Sequence, residues 1–256
     1  SSLQRELSSY VEDLTTAIKD LIKQSENDGE VKGIGIGAPN GNYYKGTIEF
    51  APNLKWAYDE NDKPMVIFFA KMIRDIVGIP VAITNDANAA AVGEMTYGIA
   101  KGMKDFIMIT LGTGVGSGIV IDGKIVYGHD GFAGELGHTT IIRGGRQCNC
   151  GRKGCLETYT SATGVARTAR EFLTERDEPS LLRNLDPDKI TSKDIYDAAT
   201  KGDKLAIEIF HFTGKIMGEA FADFVAFSAP EAIILFGGLA KSKEFLTESI
   251  LESMND

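Results

Sequence analysis

The stretch Gly134–Tyr159, GELGHTTIIRGGRQCNCGRKGCLETY, decides how the rest of the sequence is interpreted. All three cysteines of the chain lie in it, at positions 148, 150 and 155, with a histidine upstream at position 138. Thiolates and a neutral imidazole are ligands that Zn²⁺ selects, and a structural zinc site takes four of them in a tetrahedron. Glycines at 145, 151 and 154 allow the backbone to turn tightly enough to present three sulfurs to one point.

The alternative is a set of buried free cysteines beside a surface histidine. Buried cysteines have no reason to crowd into eight residues among glycines and charged side chains. The spacing therefore favours a metal site over free thiols.

Composition limits the class of protein. The 256 residues, 43% hydrophobic and 25% charged, can bury a sizeable core and are enough for two domains. The formal net charge of −9 argues against nonspecific nucleic-acid binding, which needs a cationic surface. No apolar run approaches the ~20 residues of a membrane span, and the polar first residues do not form a signal peptide. Clustered cysteines indicate a reducing compartment, so we expect a cytoplasmic protein.

Hydrophobic periodicity predicts alternating helices and strands. Apolar residues at helical spacing from Leu3 to Leu21 predict an amphipathic helix laid on a sheet. Residues 31–37, VKGIGIG, read as a strand, and we expect Pro64 to open a helix that Gly78 ends. Asp122-Gly123 predicts a hairpin turn between two later strands.

Asn85 and Asp86 stand between a short apolar strand at 79–85 and a strongly helical segment at 87–95. An aspartate there can cap the helix. The carboxyl edge of an α/β sheet is also where ligands bind, so a catalytic base is the other interpretation.

A glycine-rich loop, LGTGVGSG at 111–118, follows an apolar run that reads as a central strand. Backbone amides of such a loop can converge on an anion, so the loop could hold phosphate. It is neither G-x-G-x-x-G nor a Walker loop, and glycine-rich hairpins are common.

Two segments of the opening stretch, GELGH at 134–138 and CNCG-x-x-GCLE at 148–157, resemble the signature of the ROK family. This family groups bacterial sugar kinases with sugar-responsive repressors. The resemblance runs from about Val31 to Ala240 and is greatest to the bacterial glucokinases. It implies an α/β fold of the actin-like ATPase (ribonuclease H-like) type, with a cleft between two domains. We expect the smaller domain at 1–100 and the larger at 101–256, with the zinc segment at 134–159.

The resemblance also implies roles for single residues. The zinc ligands would be His138, Cys148, Cys150 and Cys155. Sugar hydroxyls would be held by Asn85, Asp86, Glu135, His138 and Glu157. His138 would place one ring nitrogen on the metal and turn the other toward the sugar. TNDANAA at 84–90 matches the catalytic segment of the family, which favours Asp86 as the base.

The resemblance also implies which residues contact the nucleotide. The glycine-rich loop matches the second phosphate-binding loop, which implies ATP contacts from Gly112, Thr113, Gly114 and Gly116. Gly237 and Gly238 match the adenosine-side motif, although a strand-to-helix turn would also place two glycines there. Family members carry G-x-P near the sugar. Here Asn40 follows Pro39 where glycine is commoner, so no role is assigned to that loop. Asn53 and Trp56 match a segment near the sugar, and core packing explains Trp56 equally well.

The implied reaction is transfer of the γ-phosphoryl group of ATP to a hexose, with glucose favoured and a structural Zn²⁺ and MgATP as cofactors. Alternatives are a kinase for N-acetylmannosamine, fructose or allose, and a sugar-sensing repressor. Expected partners are hexose and ATP in a homodimer or higher homo-oligomer, without membrane or nucleic acid. Family kinases begin with a D-x-G-G-T phosphate loop and end later than Asp256, so we expect the complete protein to extend at both ends.

Overall fold

The structure is a computed structural model that describes residues 2–25, 29–51 and 54–256. These ranges form eight α-helices: α1 (Ser2–Gln24), α2 (Phe69–Val77), α3 (Asp86–Tyr97), α4 (Glu157–Thr160), α5 (Ala162–Glu175), α6 (Ser192–Ala199), α7 (Lys204–Ser228) and α8 (Lys243–Asn255). None of the helices in the described ranges combines the length and apolarity that a membrane crossing requires.

Nine strands form three sheets in the described part of the chain. They are β1 (Ile34–Ala38), β2 (Gly41–Asn42), β3 (Thr47–Glu49), β4 (Val66–Ile67), β5 (Val81–Asn85), β6 (Phe106–Leu111), β7 (Val115–Ile121), β8 (Lys124–Ile125) and β9 (Ala232–Phe236). Strands β1 and β5 pair in parallel, and β2, β3 and β4 form an antiparallel sheet. The third sheet has the order β8-β7-β6-β9, with β6 parallel to β9 and antiparallel to β7.

The two parallel pairs place the site. Ala38 lies opposite Asn85 at the carboxyl ends of β1 and β5, and Thr110 lies opposite Phe236 near the ends of β6 and β9. The segments that follow these four strands therefore emerge at common sheet edges, where α/β proteins bind ligands.

Three hydrophobic clusters form the core of the described part of the chain. One joins α1 and α2 to β1, β3 and β5. The largest packs β6 and β7 against the later helices, with Phe210 and Ile109 fully buried. The third joins α3 to β6 and β7 through Ala91 and Met108. The domain boundary at residue 100 stays a prediction.

Most element predictions are confirmed. Helix α1 buries Leu7 and Val11, although Leu21, predicted for the same face, is 64% exposed. Gly78 ends α2 in a left-handed conformation, with φ of 83°. Asp122 and Gly123 have φ of 49° and 71°, as the two-residue turn between β7 and β8 requires.

The helix predicted from Pro64 is wrong at its start. Val66 and Ile67 form β4, which pairs antiparallel with β3, and the helix begins only at Phe69. Branching at Cβ favours the extended conformation, and pairing with β3 satisfies the backbone of these residues while Ile67 becomes buried.

Candidate active site

A cleft of about 550 Å³ opens at the carboxyl ends of β1, β5, β6 and β9. Both halves of the chain line it. The residues predicted from the sequence that face it are Asn85, Asp86, Gly112, Thr113, Gly114, Gly116, Glu135, His138, Glu157 and Gly237. The cleft thus collects in one place the residues assigned to sugar, proton transfer and phosphate.

Asn85 and Asp86 share the start of helix α3. The Oδ1 atom of Asn85 accepts a hydrogen bond from the Ala87 amide at 2.8 Å, and Asn85 is the N-cap. Asp86, which was one candidate for the cap, is instead the first helical residue, and its Oδ1 accepts from the same amide at 2.9 Å. Because Asn85 already caps the helix, the exposed carboxylate of Asp86 is available to a ligand in the cleft.

Glu135 immediately precedes a short 3₁₀ turn, Leu136–His138, which is fixed to strand β7 and ends at His138. The hydroxyl of Ser117 accepts from the Leu136 amide at 3.1 Å and donates to the Gly134 carbonyl. Gly137 packs so closely on Val115 that a Cβ would overlap the Val115 carbonyl. The turn therefore holds its two functional side chains in a defined position.

Glu157 is the first residue of α4, directly after the cysteine segment. Its Oε2 atom accepts a hydrogen bond from the Val115 amide at 3.0 Å. A Cβ on Gly114 would overlap the same oxygen, so glycine at this position leaves room for the Glu157 carboxylate.

Three carboxylates converge on the cleft. Loss of solvent at the cleft wall is the main cause that raises the pKa of Glu135. The neighbouring charges of Asp86 and Glu157 raise that pKa further, and His138 opposes the rise. A group that makes several hydrogen bonds to these carboxylates would relieve their repulsion, which suits a polyol.

The predicted metal ligands come together. One atom from each of His138, Cys148, Cys150 and Cys155 lies within 4.8 Å of the others. The Sγ atom of Cys148 is 3.6 Å from Nδ1 of His138, and the Sγ atoms of Cys150 and Cys155 are also 3.6 Å apart. Ligands of a tetrahedral ion with metal–sulfur bonds of ~2.3 Å lie roughly this far apart. The donor set and its spacing therefore fit Zn²⁺.

Two of the three glycines named from the sequence, Gly151 and Gly154, adopt the tight left-handed turns that only glycine allows readily. Gly151 and Gly154 have φ of 89° and 80°, and a Cβ on Gly154 would overlap the carbonyl of Ile142. Burial is the main cause that raises the pKa of the Cys148 thiol to about 12 in the metal-free protein. A bound cation would have to displace the thiol protons, which ties metal binding to pH.

Sequence reasoning missed Arg146, which fixes the cysteine segment to helix α5. Its buried guanidinium donates to the Thr158 carbonyl at 2.8 Å, to the Thr168 hydroxyl at 2.9 Å, and to the Glu171 carboxylate. It also lies 4.4 Å from the ring centre of Tyr159. No local motif marks this arginine, because its partners all lie 12 or more residues further along the chain.

The glycine-rich loop is supported from α5. Thr163 donates to the Thr113 carbonyl at 2.9 Å, and the Ala162 amide donates to the Gly112 carbonyl at 2.9 Å. Gly237, with φ of 108°, packs over the end of β6, where a Cβ would lie 2.5 Å from the Leu111 carbonyl. Gly238 does not line the cleft. Gly238 lines an adjoining hollow together with Lys241 and Lys243. Gly237 lines both this hollow and the cleft.

The residues without a firm role assigned from the sequence have different surroundings in the structure. Pro39 and Asn40 line the cleft, and Asn40 has φ of 52°, which explains why glycine also suits that position. Trp56 instead packs in a cluster of three rings with Tyr10 and Phe69, whose ring centres lie 5.7 and 6.0 Å from its own. Asn53 lies outside the described residues.

Comparison with known proteins gives the family. The model of the ROK family matches residues 2–256, and the chain belongs to this family. It is 40% identical over 247 residues to a glucokinase of Halalkalibacterium halodurans, covering 93% of this chain and 72% of the relative. The actin-like ATPase fold predicted from the sequence is thereby confirmed.

Two solved structures show both branches of the family. A ROK family glucokinase from Streptomyces griseus, in complex with glucose and AMPPNP, matches with a TM-score of 0.75 and 34% identity, over 95% of this chain and 77% of that one. A ROK family transcriptional regulator, a homolog of the E. coli MLC protein, matches with a TM-score of 0.82 and 28% identity, over 96% of this chain and 60% of that one.

Proposed function

We propose that the protein is an ATP-dependent hexose kinase that transfers the γ-phosphoryl group to the 6-hydroxyl of glucose. The observation that carries the proposal is the single cleft in which Asp86 and the Glu135, His138 and Glu157 side chains face the Gly112–Gly116 loop. Identity of 40% to a glucokinase favours glucose as the substrate.

Each side chain has a part in this reaction. Asn85, Glu135, His138 and Glu157 hold the ring hydroxyls, and Asp86 accepts the proton of the attacking hydroxyl. Phosphoryl transfer needs positioning and stabilisation of developing charge more than covalent chemistry. Amides of the glycine-rich loop supply donors for the phosphates, and MgATP supplies the metal and the phosphoryl group. Gly237 and Gly238 lie on the adenosine side.

We infer that Zn²⁺ bound by His138, Cys148, Cys150 and Cys155 has a structural part. It would orient the imidazole of His138, whose Nδ1 faces the sulfurs while the residue also lines the cleft. Thiolate ligands of this kind persist in a reducing compartment, which favours the cytoplasm. The homodimer or higher oligomer stays a prediction, as does the absence of nucleic acid among the partners.

The test is incubation with MgATP and one hexose at a time, followed by ³¹P NMR of the product. We expect glucose 6-phosphate to form faster than phosphorylated N-acetylmannosamine, fructose or allose. Turnover of another hexose in preference to glucose would overturn the substrate but not the class of enzyme.

The repressor function is the second candidate, because the structural match to the regulator has the higher TM-score. Hexose binding without phosphorylation of any of the four sugars would favour it. In that event the cleft serves as a sugar sensor.

A further inference from the structure

A second polar pocket, of about 200 Å³, lies between the cysteine segment and helix α5. Thr163, Arg167 and Arg170 line it from α5. They are spaced four and three residues apart, which places them on one face of the helix. Gln147, Asn149 and Thr158 line the pocket from the cysteine segment and its continuation, and Glu157 borders both this pocket and the cleft.

The two arginines of this pocket keep donors free. Arg167 bonds to Glu171 through Nε at 3.0 Å, which leaves its terminal nitrogens unused in that contact. Within the described part of the chain, the ion pairs of Glu171 are with Arg146 and Arg167, and Arg170 takes part in neither. Guanidinium groups present planar pairs of N–H donors that match the oxygens of phosphate.

Charge distinguishes this pocket from the rest of the protein. Arg167 and Arg170 line it with one glutamate, Glu157. Glu171, which lies beside the pocket, is shared between Arg146 and Arg167, so the local charge is positive. The chain as a whole carries a formal charge of −9. A positive pocket in an acidic protein raises the local concentration of anions. Its volume lies below the ~300–1,000 Å³ of sites for drug-sized ligands, which limits the ligand to a small anion.

We propose that this pocket binds a small phosphate-bearing anion, either inorganic phosphate or the phosphate group of a sugar phosphate, through Arg167 and Arg170. The side-chain amide of Asn149 adds a further donor, whereas the hydroxyl of Thr158 already donates to the Cys155 carbonyl at 2.7 Å. This pocket lies apart from the cleft, so phosphate binding in it can be measured without turnover.

The position of the pocket couples it to the cleft. Glu157 borders the pocket and accepts from Val115, and Thr163 borders the pocket and donates to Thr113. An anion held by Arg167 and Arg170 would therefore lie beside the two side chains that hydrogen-bond to the backbone of the glycine-rich loop, and its charge would act on the Glu157 carboxylate. Any effect on hexose affinity must be matched by an equal effect of hexose on anion affinity.

The test is calorimetric titration of the folded protein with inorganic phosphate at constant ionic strength. We expect Arg170→Gln and Arg167→Gln each to lower phosphate affinity at least tenfold, whereas Arg74→Gln, an exposed arginine on α2, leaves it unchanged. Arg170→Lys, which keeps the charge but loses the paired donors, should fall between the wild type and Arg170→Gln. If phosphate bound only at the glycine-rich loop, its affinity would be the same in all of these variants.

Titration with glucose 6-phosphate distinguishes the two candidate ligands, inorganic phosphate and a sugar phosphate. Tighter binding than inorganic phosphate, with the same dependence on Arg170, identifies a sugar phosphate, and equal affinity identifies free phosphate as sufficient. Glu135→Gln, which lines only the cleft, must leave the Arg170-dependent part unchanged. The proposal is overturned if neither anion binds, if binding ignores Arg167 and Arg170, or if Arg74→Gln weakens it equally.

Discussion

The Oε2 atom of Glu157 accepts a hydrogen bond from the backbone amide of Val115 at 3.0 Å. The bond joins residues 42 positions apart and ties a carboxylate of the proposed sugar site to the strand that follows the proposed phosphate loop. The other oxygen, Oε1, lies 3.8 Å from Sγ of Cys148. One side chain therefore contacts the cysteine segment and the glycine-rich loop while it lines the cleft between them.

Glu157→Gln keeps an oxygen for Val115 but removes the charge. We expect hexose affinity to fall by ~1.5–3 kcal/mol, the range for hydrogen bonds to charged groups. Calorimetric titration with glucose measures it, and Glu175→Gln, at the exposed end of α5, is the control for the loss of one negative charge. Unchanged glucose affinity in Glu157→Gln would remove Glu157 from the sugar site.

Gly114→Ala should disturb the hydrogen bond between Glu157 and the Val115 amide, because residue 114 faces the Glu157 carboxylate. Its new Cβ overlaps the Glu157 carboxylate, whereas a Cβ on Gly112 meets no atom within 4 Å, and neither glycine has a positive φ. Gly114→Ala should therefore displace the Glu157 carboxylate and lower hexose affinity measured without nucleotide, with little change in stability because only the end of a flexible side chain has to move. Gly112→Ala should leave hexose affinity unchanged. Equal effects of the two substitutions would show that Gly114 does not act through Glu157.

Zinc should be present at about one ion per chain and should be lost in Cys155→Ser, since a structural site needs all four ligands. Metal analysis after dialysis against a chelating resin measures it. Asn149→Ser, at an exposed position between two of the ligands, should retain the metal. Metal-free protein that keeps its hexose affinity would contradict the zinc assignment.

The raised pKa of Glu135 gives a pH dependence with a definite sign. The fold favours the protonated carboxyl, so the stabilising contribution of Glu135 is full below its ordinary pKa of 4.5 and is lost as pH rises through the raised pKa. Glu135→Gln resembles the protonated form. We expect the Tm of this variant, relative to wild type, to increase from pH 4.5 toward neutrality while hexose affinity falls. A Tm difference that shrinks with rising pH would contradict the assignment.

Much of the candidate site could be predicted because its residues belong to short sequence patterns that can be recognised without knowledge of the fold. Cys148, Cys150 and Cys155 are close in sequence, and Asp86 stands at a junction of strand and helix. The strands that bring these segments together also read directly from apolar runs such as residues 105–111.

The rest depends on contacts between distant segments. The bond from Val115 to Glu157 and the position of Arg146 against α5 have no local sequence signal. Strand β4 was missed for the same reason, because only its pairing with β3 makes Val66 and Ile67 a strand. The cap on α3 was ambiguous because Asn85 and Asp86 are adjacent and both accept from Ala87.

The central claim is that Asp86 accepts the proton of the attacking sugar hydroxyl, and turnover of Asp86→Asn tests it most directly. Asn85 caps helix α3, so this substitution leaves the helix start intact. Positioned general bases contribute ~10²–10⁴-fold, and we predict a fall in kcat of this size in the full-length protein, with little change in hexose affinity and zinc content. A kcat within about threefold of wild type would contradict the account and leave Asp86 without a catalytic part.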